Sequence, residues 1–81
     1  MYDIKRELGE TADAFYQNHN TVGIQRMPEL IEALIGRIGR LNEQEQENCI
    51  VVMKNLLEAY ENKEYVMTAD ILNYDVVRIL N

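Results

Sequence analysis

The hydrophobic positions of this chain recur at spacings of three and four from end to end, the period of helix faces rather than of strands. Ile4, Leu8, Ala12 and Phe15 mark one face of a first helix over about 3–17, weakened at Gly9 by roughly 1 kcal/mol relative to alanine. The polar run Gln17-Asn18-His19-Asn20-Thr21 then reads as a loop. Ile24, Met27, Ile31, Leu34, Ile38 and Leu41 form a heptad-like seam, widened by Leu30 and Ile35, that predicts a second helix over about 22–39. Pro28 either sits in the first turn, where its missing N–H costs nothing, or lies inside a helix that begins near Thr21 and kinks. The seam stays in phase across Pro28, which favours the kink. Gly39 suits the end of this helix, with Arg37 placed well beside the last carbonyls.

Asn42-Glu43-Gln44-Glu45 has the form of a capping box and opens a third helix over about 43–61. Its core line is Cys49, Met53, Leu56 and Tyr60, flanked by Ile50, Val52 and Leu57. Glu61-Asn62-Lys63 should end it, with Asn62 the residue suited to a left-handed conformation. So short a connection makes the third and fourth helices antiparallel neighbours. The fourth, over about 64–80, carries Tyr65, Ala69, Leu72, Val76 and Ile79, with Val66, Val77 and Leu80 alongside. At ~100° per residue this stripe is about 160° wide. Met67, Ile71 and Tyr74 fall on the opposite side. A helix apolar on two sides is normally buried on two sides. The second face is therefore ordinary surface, or is covered by the first helix, or forms a self-association seam or a groove for a partner helix, with Arg78 one turn beyond Tyr74 giving polar edge contacts.

These elements make one domain over 1–81, since chains divide only well beyond this size. The fold class expected is all-α, a small antiparallel bundle of three to four helices. The net charge of −6 is uneven. Residues 1–40 hold five basic and six acidic side chains, a balance of −1, whereas 41–81 hold three and eight, a balance of −5. Phosphate backbones and anionic membranes attract clustered Lys and Arg, so neither nucleic acid nor a membrane surface is an expected ligand. No apolar run approaches the ~20 residues of a membrane span, the start MYDIKRELGE lacks the pattern of a signal peptide, and the single cysteine excludes an internal disulfide. A cytoplasmic location is the expectation.

Candidate chemistry is sparse. Asp70 and Asp75 point roughly 140° apart on a helix and cannot form a dyad there. Asp70 with Tyr74 at i, i+4 reads instead as a hydrogen-bonded pair. His19, the one histidine, falls in a loop, and no repeated Glu-x-x-His pattern offers a metal site. Cys49, on the core line, reads as a small buried hydrophobe. Gly36-Arg37-Ile38-Gly39 resembles a GxxG clamp only in letters, without its sheet or basic surface, and no phosphate loop or dinucleotide fingerprint occurs. A DNA-reading helix would be basic, yet the segment from Arg26 to Arg40 sets three arginines against two glutamates. No catalytic residue, cofactor or metal is expected.

Leu56 to Ala59, Asn62 to Tyr65 and Ala69 to Asp75, with Gly23-Ile24 and Leu30-Ile31 upstream, resemble a pattern of short uncharacterised bacterial helical-bundle proteins, ENK(D/E)Y…AD(I/L)LxY(D/E). The resemblance covers about half the chain, with Pro28 and Asn73 atypical. It implies a bacterial helical bundle and lends no activity. A looser similarity, of class alone, is to small acidic export chaperones of the flagellar and secretion type. The function expected is a non-enzymatic protein-protein interaction module, a homodimer through the C-terminal helix, with Met67, Ile71, Tyr74 and Arg78 as the partner-binding residues. The alternative is a chaperone or adaptor that binds an amphipathic helix of a secreted or motility protein. A third class is a small enzyme using Asp70 with Tyr65 or Tyr74.

Overall fold

Asp3 starts the chain's first helix by accepting a hydrogen bond from the Arg6 backbone N–H at 3.2 Å, which occupies one of the donors a helix start leaves open. The helix it caps is α1 (Ile4–Tyr16) in a computed structural model that describes residues 1–80. Three further helices follow: α2 (Asn20–Ile38), α3 (Glu43–Glu61) and a fourth that runs in three consecutive segments. Those segments are α4 (Tyr65–Asp70), a π-helical stretch (Ile71–Val76) and α5 (Val77–Leu80). The described residues are all-α, as the hydrophobic period requires.

Two turns of one kind make the hairpins. After α1, Asn18 takes φ 62° and the His19 N–H reaches back to the Ala14 carbonyl at 2.8 Å. After α3, Lys63 takes φ 59° and the Glu64 N–H reaches the Ala59 carbonyl at 3.0 Å. Both place one residue in the left-handed region and close the last turn on its own carbonyls. The left-handed position falls on Lys63, one residue later than expected; Asn62 has φ −82°. The first connection is also shorter than the polar run suggested, because α2 already begins at Asn20.

Pro28 lies inside α2, whose start precedes it by two turns, so the first-turn alternative is excluded. Its missing N–H leaves the Ile24 carbonyl without its helical partner; both residues lie on the exposed side, where water can satisfy that oxygen. The capping box at α3 forms in full: Glu45 N–H donates to Asn42 Oδ1 at 2.9 Å, and Asn42 N–H to Glu45 Oε1 at 3.4 Å. Gln46 Nε2 covers the Leu41 carbonyl at 3.0 Å, so the α2–α3 connection is held by its own side chains.

One core runs through all four helices, with Leu8 and Phe15 of α1, Leu30 and Leu34 of α2, Leu56 of α3, and Leu72 and Val76 of the π-helical stretch shut off from solvent. α1 and the fourth helix form its centre. α2 packs mainly on α1, and α3 packs on α4 and the π-helical stretch, while α2 and α3 scarcely approach one another. The result is a slab of 36 × 29 × 18 Å whose α2 and α3, though joined by a short connection, make little close contact.

Candidate protein-docking groove

The fourth helix is the place to begin, because its second apolar face was the expected site. Met67 and Tyr74 are 50% and 61% exposed, and Arg78 is exposed too, but Ile71 is only 8% exposed and belongs to the core. The four residues therefore do not make one continuous face. Thr68 Oγ1 donates to the Glu64 carbonyl at 2.9 Å, a back-bond that bends helices, and the π-helical stretch follows directly. With i→i+5 bonding each turn takes more residues, so side chains lose the α-helical phase. Ile71 and Leu72, adjacent in sequence, are both buried. Ile71 sits beside Asn55, Glu58 and Ala59 of α3. The fourth helix thus packs against both α1 and α3, which buries Ile71 but leaves Met67 and Tyr74 of the second apolar face exposed.

Asp70 is likewise occupied within the fold. The Tyr16 hydroxyl of α1 donates to Asp70 Oδ1, so Asp70 pairs with Tyr16 rather than with Tyr74 one turn on. That hydrogen bond first, then burial and the neighbouring negative charge, push the Tyr16 phenol up to about 12. The pair fastens the end of α1 to the last residue before the π-helical stretch. Cys49 is buried, and burial followed by the nearby Glu45 carboxylate pushes its thiol up, away from the reactive thiolate. His19 is exposed, and among the described residues no three His, Cys, Asp or Glu side chains gather as a metal site.

A wide depression lies elsewhere, between the last turn of α2 and the length of α3, with a volume of about 760 Å³. Its walls are aliphatic. Ile35 and Ile38 come from α2, and Ile50, Met53 and Leu57 from α3. Ile35 and Ile50 stay 60% and 58% exposed although each faces this trough. Gln46 lies at one end and Glu58 and Glu61 at the other, with Lys54 between. Fifteen residue steps along α3, from Gln46 to Glu61, make that wall about 22 Å, or roughly four helical turns, whereas the α2 wall is its last turn, Ile35 to Gly39.

The local cause is the lack of close packing between α2 and α3. A seam that alternates by three and four fills one face, and α2 spends Met27, Leu30 and Leu34 on the α1 side. Ile35 is one residue out of that line and α3 does not come close enough to cover it. Ile50 stands next to the buried Cys49 in the same way. Sequence reasoning had noticed both as flanking positions that widen a stripe. What it lacked was the knowledge that α2 and α3, neighbours in sequence, do not pack. Comparison of the chain with protein-family models, curated proteins and solved structures gives no match.

Proposed function

We propose that this protein is a non-enzymatic interaction module whose working surface is the α2–α3 groove, and that the groove receives an amphipathic helix of another protein. The observation that carries this reading is the pair Ile35 and Ile50, held more than half exposed on facing walls of an aliphatic trough. Fully burying an exposed isoleucine stabilises by ~1.5–3 kcal/mol, and more than half of that remains to be gained at each of these two, so a helix that inserts an apolar stripe here gains from both walls at once. Recognition of this kind uses anchors at i, i+3, i+4 and i+7, and an α3 wall of about four turns is long enough for such a set. Asp70, tied to Tyr16, serves the joint between α1 and the fourth helix in this reading.

Self-association through the fourth helix has less to draw on, since Ile71 is in the core and only Met67, Tyr74 and Arg78 of the expected set face solvent. Holding a segment of a client protein, as a cytoplasmic chaperone or adaptor does, is the use that best fits an open groove. No described helix is long and apolar enough to cross a membrane.

Calorimetric titration with a helical peptide of about 15 residues, carrying a leucine stripe and glutamine on its other faces, tests the reading. Saturable binding is expected, and Ile35→Ser with Ile50→Ser should abolish it while leaving helicity and melting temperature in place. Absence of binding, or binding indifferent to those two substitutions, would remove the groove as the working surface.

A further inference from the structure

Resting on that reading, we infer that the occupant of the α2–α3 groove is a basic amphipathic helix, seated with its apolar stripe down and its Lys or Arg side chains along the α3 wall. α3 carries Glu43, Glu45, Glu47, Glu58 and Glu61 against the single Lys54, five negative charges to one positive, a balance of −4. Glu58 and Glu61 line the trough itself. They also stand in the last turn of α3, where the helix dipole is negative and no basic side chain offsets it. Two of the basic groups of the first half of the chain, Arg6 and Arg26, are paired on α1 and α2. Arg26 bonds Glu7 and Glu10 at 2.9 and 3.1 Å, and Arg6 bonds Glu10 at 3.1 Å. Arg37, in the last turn of α2, borders a separate depression with Met1, Tyr2 and Asp3.

The same charges argue against a second copy as the occupant. Two grooves meeting face to face would bring two α3 helices of −4 together, within chains that each carry −6. Like charges placed against one another in an interface cost several kcal/mol. A basic helix reverses that sign, speeds encounter at low salt, and sets direction, because its cationic end belongs beside Glu58 and Glu61.

Two fluorescent peptides of about 15 residues test this, one with the leucine stripe flanked by lysine and one with the same stripe flanked by glutamate, read by anisotropy at physiological salt. The lysine peptide should bind the full chain at least about tenfold more tightly, a difference of ~1.4 kcal/mol. Glu58→Lys with Glu61→Lys should erase or reverse that preference. Asp13→Lys with Glu29→Lys makes the same change in net charge at exposed positions of α1 and α2, and should leave most of it. Equal losses from the two pairs would reduce the preference to overall charge and overturn the inference. So would equal binding of both peptides; the groove reading survives either result if Ile35→Ser with Ile50→Ser still abolishes binding. If neither peptide binds, the inference and the groove reading fall together. A dimer seen by light scattering and broken by Ile50→Ser would assign the groove to a second copy and overturn the inference.

Discussion

The joint around Phe15 and the groove between α2 and α3 use the same kinds of side chain and end in opposite states. At the joint the central ring is fully covered. Phe15 is buried, its ring parallel to that of Tyr65 within 1° at 5.3 Å and edge-on to Tyr60 at 6.4 Å, with the bare Gly23 of α2 pressed against it. These contacts tie α1, α2, α3 and α4 at one point. At the groove, isoleucines of comparable size remain more than half in water although two helices flank them. The difference teaches where stability resides and where surface is free. The core should therefore depend on the first region and little on Ile35 and Ile50 of the second.

The largest expected effect is at the joint. Phe15→Ala should destabilise by about 3–5 kcal/mol in urea or thermal unfolding, because it removes transfer energy, two ring contacts and the filling of the space beside Gly23. A loss under ~1 kcal/mol would mean the joint is not the keystone of the core.

The glycines sharpen the contrast. A Cβ at Gly23 would lie 2.5 Å from the Phe15 ring, which Tyr65 prevents from retreating, whereas a Cβ at Gly36 meets nothing within 4 Å. Both glycines are helical, so propensity alone favours alanine at each. Packing should reverse the sign at one of them. Gly23→Ala is expected to cost ~1–3 kcal/mol and Gly36→Ala to add ~0.4–1 kcal/mol, measured by denaturant midpoint.

In the groove, Ile35→Ser and Ile50→Ser should each change stability by no more than about 0.5 kcal/mol, the ordinary range for exposed positions. A larger loss from either would show that the trough closes in solution.

The smallest effect is at Tyr16. Its phenol keeps its proton in the folded chain to about 12, above the ordinary value of 10.0. A raised value makes the contribution complete below pH 10 and lost as pH climbs from 10 toward 12, since the unfolded chain ionises first. Spectrophotometric titration should show this late phenol, and Asp70→Ala should return it toward 10.0.

How much of this the sequence announced depends on the region. The core lines of α1 and α3 were legible because each helix keeps phase, and the capping box at Asn42 was legible because its two bonds are local. The α2 seam was legible only in part, since Ile24 is exposed and Leu30, expected as a flank, is fully buried. The fourth helix misled at Ile71, since a wheel drawn at constant pitch cannot anticipate a π-helical stretch; the pitch changes just after Thr68, whose hydroxyl bonds back to Glu64. Asp70 was assigned the wrong tyrosine for a related reason. Tyr74 is its neighbour in sequence, but Tyr16, its partner, arrives by tertiary packing. The groove was half visible. Ile35 and Ile50 stood out as surplus apolar positions, yet only the loose contact of α2 with α3 turns surplus into surface.

The most direct test of the central claim, that the free apolar surface lies between α2 and α3, is an amide chemical-shift map of the isotope-labelled chain as the lysine-flanked peptide is added. The account predicts shifts concentrated at residues 35–39 and 46–61, with the fourth helix quiet. Shifts centred on Met67, Tyr74 and Arg78 instead would contradict it and return the binding surface to the C-terminal helix.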